Sequence, residues 1–348
     1  MQSLTKIATI SMLSKDKNIY NKNTKIKKNS ILFSVFIVFL IVLMVIFPNL
    51  CISSVYSGLA VWAKCVVPSL FPFMFFTKLL TNLNVIHKLT NKTSKLTSWL
   101  FKAPQISSYI FLMSIISGYP VGAKLVSEYQ KMGILTPKQA TKICTFASTS
   151  GPLFIIGSVG TAMMGSPKLG YILFASHIVG AILNGIIYRK FFVENIEKLP
   201  EISKNNENIL QNSMKDSILS VLTVGGFIAI AFLVIEIFNH LGLLLPFDFL
   251  FQKILNIFGV DVGANALSSG LLEVSKGALM LSSLPLSPKI MTTIASFLIG
   301  FGGICVLMQS IAFLKDAKVN LKFYTLQKFT HGILSALVCF LICTIFRI

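Results

Sequence analysis

The sequence contains few charged residues, and acidic residues are especially scarce. Of its 348 residues only 12% are charged, and 31 Lys and Arg stand against 12 Asp and Glu. A soluble globular domain usually carries about twice that charged fraction. Common enzyme motifs are also missing: there is no H-E-x-x-H, no G-x-S-x-G and no Walker A loop. The composition therefore argues against a water-soluble protein, and no enzymatic activity is predicted.

Neither metals nor nucleic acids are expected as partners. The six cysteines include no C-x-x-C pair and lie mostly inside apolar stretches, so no zinc site, disulfide framework or cofactor is predicted. The net charge of +19 would suit a nucleic-acid partner in a soluble chain. Here the basic residues fall between apolar stretches and form no patch with exposed aromatics, which indicates membrane topology instead.

Hydrophobic residues make up 54% of the chain, 29 of them Phe, and the mean hydropathy is +0.77. These values predict an integral membrane protein with the lipid bilayer as its solvent. Residues 1–30 form a basic cytoplasmic tail, and 31–48 form a signal-anchor span, because the apolar run exceeds the length of a cleaved signal peptide. The predicted spans are 31–47, 55–77, 140–164, 170–188, 218–238, 291–314 and 326–346.

Two further apolar stretches are interrupted in the middle. Residues 106–132 contain Ser117-Gly118-Tyr119-Pro120, and residues 265–284 contain Ser268-Ser269-Gly270. Each half is too short to cross a hydrocarbon core of about 30 Å. We therefore predict two re-entrant helical hairpins, which require burial in protein or contact with a wet cavity. With this topology 25 of the 31 basic residues, Lys124 and Lys328 among them, belong to cytoplasmic segments.

The two halves of the chain share an ordered set of residues. A Ser-Gly-x5-Lys pattern is followed by Leu-Thr/Ser-Pro-Lys-x-x-Thr-x-Ile-x-x-Phe and a later glycine, at 117–151 and again at 269–302. Each unit contains an odd number of crossings, so the second is inserted upside down. The predicted fold is all-α, with seven spans and two re-entrant hairpins arranged as an inverted repeat. The repeats cover 55–190 and 216–346, joined by a cytoplasmic linker at 191–215.

Inverted repeats with broken helices are a recurring plan of secondary transporters, in which substrate binds where the broken ends meet. The free N-H groups of two half-helices, each near a lysine, would favour a compact dianion. The spans that follow the hairpins are also predicted to be interrupted, at 148–152 and at 300–303. Alternatively, both lysines extend to the hairpin mouths, and these interruptions are kinks closed by hydroxyl groups. The predicted substrate-binding residues are Ser117, Gly118, Lys124, Ser148, Thr149, Ser150, Gly151, Ser269, Gly270, Lys276 and Gly302.

Ionisable residues within the apolar stretches are candidates for coupling or for simple pairing. Glu128 lies four residues after Lys124, and Glu273 lies three residues before Lys276, so either acid is able to pair with its lysine. His177 acts either in proton transfer or in helix packing. The energy source stays open among passive efflux, proton coupling and Na⁺ coupling, with Na⁺ held by the backbone at Ser148–Gly151. An oligomer is possible.

Several motifs resemble the family of the sporulation integral membrane protein YlbJ, also called stage V sporulation protein V. They are the G-Y-P-x-G-A-K run at 118–124, the S-G-P-x-F-I run at 150–155, the later His177 and the helix at 62–73. The resemblance covers residues 31–345. It implies a nucleoside-recognition (Gate) domain whose repeat plan is similar to that of concentrative nucleoside transporters.

For that family, the resemblance implies movement of dipicolinate from the mother cell cytoplasm across the outer forespore membrane. Dipicolinate is a small pyridine dicarboxylate, in keeping with the dianion expected from the hairpins. Two alternatives stay open. One is transport of a neutral nucleoside or another small metabolite by the same fold, and the other is a sporulation membrane scaffold that transports nothing.

Overall fold

A computed structural model describes residues 28–82, 94–194 and 208–348. Regular structure in these ranges is helical throughout. The chain comprises two compact units, Met1–Ile52 and Ser53–Ile348. Most of the predicted tail at 1–30, and the middle of the predicted linker at 191–215, lie outside the described residues, so these two predictions are not tested.

The helices of the described ranges are named here in chain order. They are α1 (Lys28–Ile46), α2 (Pro48–Val61), α3 (Val67–Asn82), α4 (94–101), α5 (Ser107–Ser117), α6 (Val121–Lys131), α7 (Pro137–Ile143), α8 (Pro167–Ile187), α9 (Ile209–His240), α10 (Leu245–Ile257), α11 (Ala264–Leu272), α12 (Val274–Ser282), α13 (Pro288–Phe301), α14 (Gly303–Leu314) and α15 (Leu321–Ile345). Two π-helical segments, Trp62–Val66 and Leu153–Met163, complete the regular structure.

Within the described residues, four helical stretches are long and apolar enough to cross a bilayer as they stand. They are Pro167–Ile187, Ile209–His240, Pro288–Leu314 and Leu321–Ile345, and the bent pair Phe33–Ile46 with Pro48–Val66 makes a fifth if it counts as one span. The predicted span at 140–164 is instead divided between α7, an extended segment and a π-helix. The number of seven crossings therefore stays a prediction, while the all-α membrane fold is confirmed.

The repeated Leu-Thr/Ser-Pro-Lys motif begins a helix in both halves. The Thr136 hydroxyl accepts from the Gln139 N–H at 3.2 Å, and the Gln139 side chain accepts from the Thr136 N–H at 3.0 Å. Ser287 caps α13 in the same manner, accepting from the Ile290 N–H at 3.4 Å. Proline follows each cap at the first helical position, where its missing N–H leaves no bond unmade. The motif thus marks two equivalent helix starts.

The first hairpin, α5 and α6, is broken where the sequence predicts. Gly118 follows α5 with a φ of 74°, a left-handed conformation that favours glycine. Tyr119 and Pro120 complete the turn before α6 begins at Val121. The hairpin therefore presents a short tip of irregular backbone between two helical arms.

The second hairpin, α11 and α12, is broken elsewhere, and the predicted interruption at Ser268-Ser269-Gly270 is wrong. α11 continues to Leu272, and the break is the single extended residue Glu273. Gly270 is a helical residue and allows close packing of α11 against α12. A Cβ atom on Gly277 would lie 2.3 Å from the Gly270 Cα, so the pair lets the two arms approach each other.

The crossing that follows each hairpin is also broken, as predicted. Residues 148–151 are not helical, and the chain continues as the π-helix Leu153–Met163. In the second half Gly302, with a φ of 87°, separates α13 from α14. The two breaks differ in length, because residues 144–151 are non-helical in the first and only Gly302 is non-helical in the second.

The hairpins pack across the two halves of the chain. α6 lies against α14, and α12 lies against the π-helix Leu153–Met163. The second arm of each hairpin therefore contacts the far half of the other crossing, as two related units would require. α15 packs against both α8 and α13. Both large buried clusters accordingly contain side chains from the two halves.

The sequence did not predict α10, which lies between α9 and the second hairpin. It has 13 residues with Asp248 in its first turn, so it is too short and too polar to be recognised as a span. The Ser268 hydroxyl donates to the Asp248 carboxylate and attaches α10 to α11.

Candidate functional site

The unwound segment 148–151 is held by side chains from other helices. The Thr149 N–H donates to the Ser114 hydroxyl of α5 at 3.0 Å, and the two hydroxyl groups lie 2.9 Å apart. The Ser150 N–H donates to His177 Nε2 of α8 at 2.8 Å. Since a break in a helix leaves backbone groups without intrahelical partners, these bonds fix the segment in one position.

The buried Lys328 of α15 also contacts this segment. Its Nζ donates to the Ser148 carbonyl at 3.0 Å and to the Tyr119 hydroxyl, and it lies 4.4 Å from the centre of the Tyr119 ring. The Ser148 hydroxyl lies 2.8 Å from that of Tyr324. Lys328 is 1% exposed, so its side chain is enclosed by protein, and its assignment to a cytoplasmic segment stays a prediction. Its helix turns it toward the protein interior.

The tip of the first hairpin lies directly against the unwound segment. A Cβ atom on Gly118 would lie 2.5 Å from the Gly151 nitrogen, so no larger residue fits there without displacing one of the two backbones. Gly122, one turn into α6, is equally constrained, because its Cβ would lie 2.0 Å from the Ala147 carbonyl oxygen. The glycines of the G-Y-P-x-G-A-K run are therefore explained by contact between backbones.

A cavity of about 670 Å³, open solvent at its mouth included, lies beside this contact. One side of the wall is apolar and is formed by residues of α3, α9 and the π-helices. The polar groups are few. They are Ser117, Tyr119, Ser150, Glu273, Ser275 and Gln309, with Cys305 beside them.

Four helical segments begin at this cavity: α6, the π-helix Leu153–Met163, α12 and α14. The first N–H groups of a helix have no intrahelical partner, and the positive end of its dipole lies there. The wall residues at or beside these starts are Gly118, Tyr119, Gly151, Phe154, Val274, Ser275, Cys305 and Val306. Since α5 and α11 end at the same breaks, at Ser117 and Leu272, helix ends of both signs meet here, and the amino ends bring N–H donors to the wall.

Glu273 offsets one of these four ends. Its carboxylate caps α12 by accepting from the Lys276 N–H at 2.8 Å, and the residue is only 2% exposed. The Lys276 ammonium does not join this carboxylate. It forms an ion pair with Glu236 of α9 at 2.8 Å and lies 5.2 Å from the centre of the Phe232 ring. The expected side-chain pair between Glu273 and Lys276 is therefore replaced by a backbone cap.

Lys124 lies away from the cavity, on the surface of α6. Its side chain is 42% exposed, and its ammonium lies 3.9 Å from Glu128, so the predicted i, i+4 pairing is present. At the end of α6, Lys131 donates to Asp316 at 2.9 Å. This hydrogen bond lowers the pKa of the exposed Asp316 carboxyl. Both pairs belong to the hairpin mouth.

His177 serves packing and backbone support. It is completely buried, and its Nε2 accepts from the Ser150 N–H, which places the proton of a neutral ring on Nδ1. The His331 ring lies 4.7 Å from that of His177, and His331 Nε2 is 3.1 Å from the His177 carbonyl oxygen. The two histidines therefore join α8 and α15 behind the unwound segment.

The predicted site residues divide into three groups. Those in the cavity wall are Ser117, Gly118, Ser150, Gly151 and Glu273. Those that form hydrogen bonds within or to the unwound segment but lie outside the cavity wall are Ser148, Thr149 and His177. Those that lie elsewhere are Lys124, Glu128, Ser269, Gly270, Lys276 and Gly302, of which Gly302 lies near the Tyr119 ring.

The sequence reasoning missed Tyr119, Gln309, Cys305 and Lys328 as parts of this site. A usable signal existed for Lys328. The buried polar residues of α15 recur at helical spacing and mark a face turned to the interior rather than to lipid. They are Tyr324, Gln327, Lys328, His331 and Ser335.

Comparison with known proteins agrees with this architecture. No family profile matches the chain. The chain is 24% identical over 343 residues to the "Sporulation integral membrane protein YlbJ" of Bacillus subtilis (strain 168), an alignment that covers 91% of this chain and 83% of that protein.

Solved structures of CNTnw, a concentrative nucleoside transporter, have the same fold. The inward-facing, substrate-bound state covers 80% of this chain and 75% of its own at 13% identity, with a TM-score of 0.56. A single-substitution variant in the intermediate 1 state covers 98% of this chain and 86% of its own at 12% identity, with a TM-score of 0.52. The chain is thus an integral membrane protein with the fold of these structures, and the predicted resemblance to the sporulation membrane protein YlbJ is confirmed.

Proposed function

We propose that this protein transports dipicolinate from the mother cell cytoplasm across the outer forespore membrane. The observation that carries the proposal is the cavity at which four helical segments begin. Half-helix amino ends are a common means by which transporters hold anionic groups of their substrates. A relative among sporulation membrane proteins supplies the physiological setting, and the transporter fold supplies the route.

The cavity wall offers a small planar dicarboxylate hydrogen-bond donors on one side and an apolar surface on the other. Three of the four amino ends have no side-chain cap, and the first N–H groups of a helix are donors that anions bind. The hydroxyl groups of Ser117, Ser150 and Ser275 add neutral donors. Apolar residues such as Leu70 and Ile228 line the other side and offer a surface for the face of an aromatic ring. The carboxylate of Glu273 opposes binding of an anion and contributes to release.

Flux in reconstituted vesicles tests the proposal directly. The purified full chain is inserted into liposomes, and uptake of radiolabelled dipicolinate is measured down an inward gradient. We expect saturable uptake that unlabelled dipicolinate inhibits and an equal concentration of uridine does not. Protein-free liposomes and the Gly118→Ala variant are the controls. Uptake of uridine with no dipicolinate flux would refute the proposed substrate.

Transport of a neutral nucleoside is the second candidate, and Glu273 is the observation that favours it. A buried carboxylate in a cavity wall accepts hydrogen bonds from sugar hydroxyl groups. The Glu273→Gln variant distinguishes the two candidates because glutamine retains an acceptor for the α12 cap and removes the charge. If dipicolinate is the substrate, Glu273→Gln strengthens its binding. If a nucleoside is the substrate, the same variant weakens nucleoside binding. A protein that binds neither compound, as judged by thermal shift, would act as a scaffold.

The partly exposed Cys305 provides a probe of occupancy. Its thiol lies in the cavity wall, whereas Cys65 is partly exposed but outside that wall. We expect dipicolinate to slow maleimide labelling of Cys305 several-fold and to leave labelling of Cys65 unchanged, because only the first thiol is covered by bound ligand. Peptide mass spectrometry measures both rates in one sample, and Cys305→Ala identifies the signal. Equal protection of both thiols would contradict this site.

A further inference from the structure

An ion pair joins the second hairpin to α9 beside the cavity. Lys276 Nζ of α12 lies 2.8 Å from the Glu236 carboxylate and 5.2 Å from the centre of the Phe232 ring, and both of these residues belong to α9. The Lys276 side chain is only 12% exposed. We infer that this ion pair is a gate, which holds the cavity closed on the side away from the cytoplasm and opens when substrate leaves there.

The cavity lies between two groups of helices. In the first group, α9 packs against α3 and the π-helix Trp62–Val66, and the Trp62 Nε1–H donates to the Val221 carbonyl at 3.0 Å. A Cβ atom on Gly225 would lie 2.6 Å from the Trp62 ring, so α9 fits tightly against this π-helix. The second group contains the hairpins and the broken crossings. The wall residues of the first group are Val66, Leu70, Met74, Val224 and Ile228, and the others belong to the second.

The ion pair connects the two groups at one end of the cavity. Lys276 lies three residues after Glu273, which belongs to the wall. Glu236 lies eight residues after Ile228, which belongs to the opposite wall, and eight residues extend about 12 Å along a helix. A ligand leaves the cavity past this end only if α9 and α12 separate, and their separation breaks the ion pair.

The position of Glu236 along α9 indicates which side of the cavity is closed. α9 begins at Ile209, beside the predicted cytoplasmic linker, and ends at His240. With the topology predicted from the basic residues, the last turns of α9 lie on the outer side of the membrane. The ion pair therefore closes the outer side, toward which dipicolinate leaves in the proposed direction of transport.

Lys276 does not form the local side-chain pair that its sequence offers. Glu273, three residues before it, caps the backbone of α12 instead. The matching lysine of the first repeat, Lys124, stays with Glu128 of its own helix at 3.9 Å. Glu236 lies within an apolar run of α9, and ionisable residues in such runs are costly and commonly functional. The long-range pair is thus particular to the second hairpin and has no local explanation.

Cys305 reports on this gate without any substrate. Its thiol lies in the cavity wall on α14 and donates to the Phe227 carbonyl of α9 at 3.8 Å, so it lies where the two groups of helices meet. Separation of α9 from the second group exposes the thiol to a reagent on the outer side. The effect of the gate on dipicolinate flux rests on the proposed function, whereas the exposure of Cys305 does not.

The first experiment measures labelling of Cys305 by a membrane-impermeant maleimide, added to spheroplasts for the outer side or to inverted membrane vesicles for the cytoplasmic side. We expect Lys276→Met to speed labelling from the outer side several-fold, because methionine is apolar and cannot form the ion pair. Exchange of the two charges, Lys276→Glu with Glu236→Lys, should restore slow labelling. Asp216→Asn breaks the ion pair of α9 with Lys78 of α3. It is the matched control and should label at the wild-type rate.

The second experiment closes the gate covalently. Glu236→Cys and Lys276→Cys are combined in a Cys305→Ala background, and a short reducible bis-methanethiosulfonate joins the two new thiols. We expect the cross-link to stop most dipicolinate flux in vesicles and its reduction to restore the flux. Each single cysteine variant, treated with the same reagent, controls for modification without a cross-link. Full flux through the cross-linked protein would contradict the gate.

Two labelling results would overturn the inference: an unchanged rate at Cys305 in both Lys276→Met and Glu236→Gln, or a faster rate from the cytoplasmic side alone. If Lys276→Met does not fold, Glu236→Gln decides, since that side chain is 39% exposed and only its charge is removed. A merely structural ion pair would lower the melting temperature without exposing Cys305. If the wild-type protein carries no dipicolinate, the proposed function fails, and the labelling experiment still tests the gate.

Discussion

Replacing Gly118 with alanine should abolish most transport. The added Cβ would lie 2.5 Å from the Gly151 nitrogen, and the residue has a φ of 74°. With a ψ of −171° the residue lies in a region essentially confined to glycine, which costs another residue about 1–3 kcal/mol before any clash is counted. The hairpin tip or the unwound segment must move, and both form the cavity wall. We expect initial dipicolinate flux to fall at least about tenfold, the effect of about 1.4 kcal/mol.

Gly133 supplies a matched control for the backbone cost. It has the same φ of 74°, but no atom lies within 4 Å of a Cβ placed there. Gly133→Ala therefore carries a penalty for positive φ without the collision and should retain most of its flux. The amount of protein inserted into the liposomes and the melting temperature are measured for both variants, so that loss of folded protein is separated from loss of transport. Equal flux in the two variants would exclude the hairpin tip as part of the transport site.

Local signals made much of the fold predictable. The Leu-Thr/Ser-Pro-Lys motif is a helix start because a hydroxyl cap and a first-turn proline act within four residues. The break at Gly118 was visible for the same reason, since glycine and proline act on their own backbone. The repeat then related the two halves without any knowledge of contacts between them.

The second hairpin shows where the repeat misleads. Gly118 and Gly270 match in sequence, but only the first makes a turn, and the second allows close contact with Gly277. Glycine is needed for a turn at one position and for close packing at the other, and the sequence does not show which role applies. The break falls three residues later at Glu273, whose side chain caps the following helix. This shift put Glu273, which the sequence predicted as a possible side-chain partner of Lys276, at the start of α12 as its cap.

The positions of lysines along the chain did not predict which of them lie near the cavity. Lys124 and Lys276 looked like the anion site because they share a motif, but Glu128 and Glu236 bind them away from the cavity. Lys328 looked like a loop charge and is buried. Its partner Ser148 is 180 residues away in sequence. Only the tertiary packing of α15 against α8 and α13 decides that its side chain turns inward.

His177 is the second residue at which a large effect is expected. Its Nε2 is the acceptor for the Ser150 N–H at 2.8 Å, and both residues are buried. His177→Leu keeps a similar volume but removes the acceptor, and a buried N–H without a partner costs about 1–3 kcal/mol. Since Ser150 lies in the cavity wall, we expect a lower melting temperature together with a fall in dipicolinate flux of about tenfold or more.

His177→Gln separates the hydrogen bond from the imidazole ring. Its amide oxygen is able to accept from the Ser150 N–H, so this variant should recover much of the flux that leucine loses. His240→Leu, at the exposed end of α9, controls for loss of a histidine and should have no effect. If His177 instead carried protons during transport, glutamine would fail as completely as leucine, because an amide does not titrate. Recovery by glutamine would therefore assign His177 to support of the unwound segment.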